Sequence, residues 1–437
     1  MVAKKAEKKK EEQLDFRRIH GSFTRNMESL EAFVNGVAPV AQKHDKARTR
    51  KMDEFAEGIR QIFGLPKGRI SKRKLEELAK GVTEDQARRV IQLVAGLPRL
   101  PLPQAELLYR SSFVMLVSYR DFLLSDLIHY FYRRYPEGLS GRDLPLTLSE
   151  LKFLGGVDEA LDFVINKEAE GVLYDSLEKQ KLYLKNTLKI DTKDSIINWD
   201  KLVEAEERRH IIVHNDCKIN RRYLTKVDVS QVPEKTKDFK EGTQVRIAEG
   251  YFRSVFEEIS VSGIVLLQCC WRKWEKDDTS DADSSLNSDI YDALVKEDWT
   301  RAERLGLFSK ECRVASQAYR LLLDINYCQS LKWQGKTSEL GEELRKFDVS
   351  ALGPRFALAL YALRSDRDGF YRNVKHAITV DKMKETDFME WPLFRDLRKD
   401  PDYGARIRAV FRSISEKEGK QRPREGGRHH MKGTSRS

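Results

Sequence analysis

Within six residues, Arg209-His210-Ile211-Ile212-Val213-His214 holds a guanidinium and two of the chain's eight imidazoles. A histidine titrates near neutrality and can carry a proton in either direction. An arginine presents a planar fork that matches phosphate oxygens. Those two groups are what metal-independent RNA cleavage requires. The ribose 2′-OH must lose its proton to attack the adjacent phosphorus, and the crowded phosphate must be neutralised. Arg209, His210 and His214 are the candidate catalytic residues, and a polar residue beside the arginine can orient either group. Arg208 and Asn215 flank the run as candidate RNA-binding residues.

Two other readings compete. His210 and His214 stand at i and i+4, so on a helix both could reach one metal ion. The zinc-hydrolase pattern needs a glutamate directly after the first histidine, and Ile211 stands there. Spacing supplies no third ligand, so neither a metal nor a cofactor is expected. In the plainest reading Glu206, Glu207, Arg208 and Arg209 form a solvated helix face, with the Ile-Ile-Val triplet as its anchor.

The elements that must position these groups read as helices. The key stretch sits on a helix from about Asp200, a natural N-cap, to about His214. Five residues are about 500° of helix rotation, so Arg209 and His214 are not stacked on one face. They can cooperate only where the helix end loosens or across two copies. A long helix over 104–134 and another over 248–274 bracket shorter ones at 147–154, 157–166 and 176–188, the make-up of an antiparallel bundle. Two short strand-like runs, 223–227 and 243–247, lie between the key helix and the second long one.

Upstream, 14–103 reads as an N-terminal segment of short helices at 27–33, 52–63, 71–79 and 84–94. Thr83 and Gln86 make a capping box there, and three alternating prolines end the segment. Downstream, 276–287 reads as a flexible acidic linker and 288–414 as helix-hairpin material. That material resembles tetratricopeptide-like repeats without a clean 34-residue period. Stacked helix pairs of this kind present surfaces for a protein partner.

A chain of 437 residues has room for about two to three domains. The net charge of +11 is uneven: residues 1–12 carry five Lys against three Glu, and 416–437 carry seven Lys or Arg against three Glu. Those ends, 1–13 and 415–437, lack core-forming residues and read as basic disordered tails attracted to polyanions. Cys217, Cys269, Cys270, Cys312 and Cys328 form no CxxC pair, which fits free thiols in a reducing compartment. The lysine-rich N-terminus has no apolar core, and no apolar run of about 18 residues is evident. A cytoplasmic protein with no membrane contact is expected.

Arg209-His210-Ile211-Ile212-Val213-His214 fits the Arg-polar-x-x-x-His signature of HEPN domains (higher eukaryotes and prokaryotes nucleotide-binding). The continuation through Asn220-Arg221-Arg222-Tyr223-Leu224 and the flanking long helices are similar to that family over about 104–275. The resemblance implies an all-α fold, a HEPN-like helical bundle between the N-terminal helical segment and the repeat-like region. It also implies a metal-independent endoribonuclease that leaves a 2′,3′-cyclic phosphate and acts as a homodimer with two motifs in one cleft. Its members often serve as toxins or phage-defence effectors. Others are non-catalytic scaffolds, which leaves an interaction protein as the alternative.

Overall fold

The computed structural model describes residues 15–66, 81–95, 103–140, 147–154, 156–228, 232, 239–348 and 352–421. The basic ends 1–14 and 422–437, the expected helix at 71–79 and most of the polar loop at 229–238 lie outside these residues. The fold is mostly helical, with no strand among the described residues. The chain divides into two compact units, Met1–Lys276 and Asp277–Ser437.

The first unit is built from α1 (Phe16–Phe63), α2 (Glu84–Ala95), α3 (Gln104–Arg134), α4 (Leu148–Phe153), α5 (Val157–Tyr174), α6 (Leu177–Asn186), α7 (Trp199–His214), α8 (Arg221–Lys226) and α9 (Glu249–Trp274). Three long helices carry it. Phe16, at the start of α1, packs on Tyr130 near the end of α3 and on Trp271 and Trp274 near the end of α9. At the other end, Asp45 accepts from the backbone N–H groups of Gln104 (2.7 Å) and Ala105 (2.9 Å). Asp45 thus caps α3, whose own N-cap is a proline with no side chain to offer. So α1 runs antiparallel to both α3 and α9.

The N-terminal segment therefore completes the bundle, and two of its expected short helices are parts of one. Residues Phe16, Ile19, Phe23, Met27, Leu30, Val34, Ala38 and Ala41 recur every three or four positions and are all buried. This apolar stripe carries the helix past Gly36 and Pro39, residues that local propensity treats as breakers. Where α1 meets α9 the approach is close: a Cβ at Gly263 would lie 2.3 Å from the Phe23 ring. Any larger residue there would require the Phe23 ring to shift.

Composition alone would let α9 cross a membrane, which amends the expectation that no segment reaches that length and apolarity. Its apolar window is 78% buried, making it the core helix of the unit. The capping box at Thr83 and Gln86 is present, with reciprocal bonds of 3.1 and 3.3 Å. A second, Thr147 with Glu150, opens α4.

The two strand-like runs are corrected. Residues 221–226 form α8, since Asn220 accepts from Tyr223 N–H and starts a helical turn. What pairs instead is 217–219 with 242–245, through one isolated bridge between Lys218 and Gln244.

The second unit comprises α10 (Thr279–Val295), α11 (Trp299–Lys310), α12 (Gln317–Trp333), α13 (Thr337–Leu344), α14 (Pro354–Leu363), α15 (Arg367–Val380), α16 (Glu385–Glu390) and α17 (Tyr403–Gln421). The expected acidic linker is thus a 3₁₀ turn over Lys276–Asp278 followed by the first helix. Ala282, Asp283 and Leu286 point into the core, and the Asp283 carboxylate accepts from Ala315 N–H at 2.6 Å. The basic end, too, is helical as far as Gln421.

Three helix pairs in this unit share one turn. After α10, α12 and α14 the second loop residue is left-handed: Glu297 (φ 60°), Gly335 (φ 72°) and Ser365 (φ 60°). In each case the next N–H reaches back five residues, Asp298 to Ala293, Lys336 to Leu331 and Asp366 to Tyr361, at 2.9–3.0 Å. Lys382 (φ 53°) takes the same conformation after α15, and Met383 N–H reaches back to Ala377 at 3.4 Å. A side chain in this region costs about 1 kcal/mol or more. Lys382→Gly is therefore expected to raise the unfolding free energy of this unit by about 1 kcal/mol in urea titration.

Candidate functional site

Helix α7 is capped two residues before Asp200, by Asn198, whose Oδ1 accepts from Lys201 N–H at 3.0 Å. It ends at His214. Asn215 N–H and Cys217 N–H both bond to the Ile211 carbonyl at 3.0 Å, and Asp216 (φ 46°) and Cys217 (φ 58°) reverse the chain. Helix α7 runs antiparallel to α9, with Asn198 N–H on Glu258 and Arg208 Nη1 on the Arg246 carbonyl. It also packs on α3 and α8. Each face of α7 therefore has a different neighbour.

The face toward α9 holds a buried charge network. Arg208 is fully buried; its Nε donates to Glu204 at 2.6 Å and its guanidinium lies 3.8 Å from the Tyr251 ring centroid. Glu204 also accepts from Tyr223 Oη at 2.5 Å and from Tyr251 Oη. Burial pushes both phenols well above their ordinary range, with the Glu204 charge adding to it. Arg208 is thus corrected from an RNA-binding residue to the clamp that fixes α7 to α8 and α9.

Arg209 lies on the side toward α3, ion-paired with Glu206 at 3.6 Å. Arg209 Nε and Glu206 Oε2 are buried without a hydrogen bond. Near them on α3, Asp121 accepts from Arg120 at 3.1 Å. Burial pushes the Asp121 carboxyl up to about 6; Glu206 adds to the rise, while Arg120 and Arg209 oppose it.

The third face carries Glu207, His210 and His214 at i, i+3 and i+7. The two imidazoles sit with ring centroids 4.8 Å apart, His210 half-buried and His214 exposed. Arg222, on α8, reaches across to this face and grips Glu207 with both fork nitrogens, at 2.9 and 3.0 Å. The His210 imidazole is held below its usual pKa, first by burial and then by Arg222, His214 and Arg209 against the opposing pull of Glu207. Asn215 turns inward to the chain reversal, its Nδ2 donating to the Lys218 carbonyl at 2.6 Å.

No family model matches this chain, and neither does any curated protein or solved structure.

The structure thus brings His210 and His214 together and sets Arg209 about 140° around the helix from His214. The solvated-face reading does not hold for Glu207 and Arg208, which are buried and paired. Of the Ile-Ile-Val triplet only Ile211 is fully buried, and Val213 is exposed. Arg222 was missed as a site residue. Its signal was the short helix start at Asn220, which folds α8 back over the last turns of α7. Among the described residues no group of three His, Cys, Asp or Glu side chains is arranged to hold a metal.

Proposed function

We propose that the chain is a HEPN-type endoribonuclease that cleaves RNA without a metal ion and acts in the cytoplasm as a homodimeric toxin or phage-defence effector. One observation carries the reading: two imidazoles in contact at an exposed helix end, with Arg222 fixed on Glu207 of the same face. In the reaction His214 takes the proton from the ribose 2′-OH, and the 2′ oxygen bonds to phosphorus. The bond from phosphorus to the 5′ oxygen breaks, and that oxygen takes up a proton. The products are a 2′,3′-cyclic phosphate and a 5′-OH.

The attacking and leaving oxygens lie on opposite sides of phosphorus. Two rings in contact serve one side only. A second copy of the same helix end, facing the first, would supply the other proton, and this is the support for a homodimer.

The test is incubation of purified protein with mixed RNA at neutral pH in EDTA. The expected result is cleavage with cyclic-phosphate ends that is lost in His214→Ala and in Arg209→Ala. RNA that stays intact, or is lost equally in both variants, would sink the proposal. Cleavage abolished by EDTA alone would transfer the two histidines to a metal site.

The second reading, a non-catalytic interaction protein, draws on the three hairpins that share one turn in the second unit. They support a tetratricopeptide-like array over 288–414 that binds a protein partner.

A further inference from the structure

Arginine 222 is held in an unusual way. Its carboxylate partner, Glu207, is 5% exposed, whereas the Arg222 side chain is 50% exposed. Nε and Nη2 are both turned inward onto that carboxylate. Among the described residues no protein group takes up Nη1. The buried half of the pair fixes the guanidinium plane, and the exposed half faces solvent, near enough to His210 for its charge to act on that imidazole.

We infer that Arg222 is the phosphate-binding cation of the two-histidine face and that Glu207 is its positioning residue. The inference rests on the ribonuclease reading for the identity of the ligand, the phosphodiester of single-stranded RNA. It differs from the sequence motif in one respect. On one helix Arg209 and His214 point to different sides, and Arg209 is engaged with Glu206 toward α3. Arg222 lies on the same side as both histidines, and its charge is felt by His210. The fork is also pre-organised: α8 is anchored by Tyr223 on Glu204 and by Asn220 on its own first turn, so little side-chain freedom remains to be lost on binding.

Three readouts test this on the full chain. The probe is a short 2′-O-methyl oligoribonucleotide, which keeps the phosphates and lacks the attacking hydroxyl. Arg222→Gln is expected to weaken probe binding about tenfold, the loss of one charge-assisted contact. The slope of log affinity against log salt should fall by about 0.7. Arg222→Lys, which keeps the charge and loses the fork, should fall between the two. Nitrogen-detected titration of His210 should move upward in Arg222→Gln, because a neighbouring cation is gone.

The positioning role has its own readout. Glu207→Gln should weaken probe binding in the wild-type background and have no further effect in Arg222→Gln. Additive losses would overturn it. Unchanged probe affinity and unchanged His210 titration in a folded Arg222→Gln would overturn the assignment of Arg222, even if the wild type cleaves RNA. If the wild type binds the probe through Arg222 and cleaves nothing, the ribonuclease reading fails and the phosphate site stands. A wild type that does not bind the probe overturns both.

Discussion

Replacing Arg208 with methionine is expected to lower the unfolding free energy of the first unit by about 3–5 kcal/mol, the cost of leaving a buried carboxylate without its cation. Glu204, which is 5% exposed, would keep the hydroxyls of Tyr223 and Tyr251 as donors. The same argument predicts that Glu204→Gln combined with Arg208→Met recovers most of the loss, because no uncompensated charge then remains. Fluorine-labelled tryptophan makes the measurement specific. Trp199, Trp271 and Trp274 report on the first unit, and Trp299, Trp333 and Trp391 on the second. In urea the first set should unfold earlier in Arg208→Met while the second keeps its midpoint. An unchanged first set would mean that the network contributes little and that α7 is held by apolar packing alone.

Substitution of the exposed histidine should act in the opposite way, on activity and not on stability. His214→Ala is expected to slow RNA cleavage by about 100- to 10,000-fold, the range for loss of a general acid/base. The melting temperature should hold, since an exposed side chain with few partners contributes within about 0.5 kcal/mol. The pH profile carries a second expectation. His210 is held below its ordinary value chiefly by burial, so it stays neutral to lower pH than a free histidine. Protonating it places a second cation against His214. The part of the acid limb that His210 contributes should therefore lie below the ordinary histidine range. In Arg222→Gln that acid limb should shift toward higher pH, because one of the charges opposing protonation is absent. A limb that ignores Arg222 belongs to a different group.

Much of this arrangement was legible in the sequence, and the exceptions have physical causes. The long helices at 104–134 and 249–274 were readable because their apolar faces are broad and prolines or charged residues bound them. The helix carrying His210 and His214 was readable as far as its last residue, and so was the angular separation of Arg209 from His214. Burial of Arg208 was not, since two adjacent arginines look alike until it is known that one faces Tyr251 and the other α3. Arg222 was hidden for a similar reason: a contact between residues fifteen apart depends on a tight reversal at Asp216 and Cys217, side chains that tolerate the left-handed region at a cost.

The acidic run at 277–283 looked solvated because its aspartates outnumber its apolar residues. One of them, Asp283, is fully buried on a backbone N–H. No sequence period was evident in the second unit because its helices differ in length. What three of its helix pairs share is the turn, with left-handed residues at 297, 335 and 365.

The first helix has one further property. At about 1.5 Å per residue its 48 residues extend about 72 Å. Every fully buried side chain lies between Phe16 and Ala41, and beyond Asp45 the helix is steadied by α2 and by ion pairs along its own surface, such as Arg50 with Glu54. Local opening costs what local contacts are worth. Backbone amides over 16–41 will exchange with solvent only when the bundle itself opens, whereas those over 46–63 exchange by fraying from the far end. Pro39, which cannot donate to the carbonyl one turn back, falls just before that border. A single unbroken helix therefore has two lifetimes, and its outer half can melt and re-form without disturbing the histidines at the end of α7.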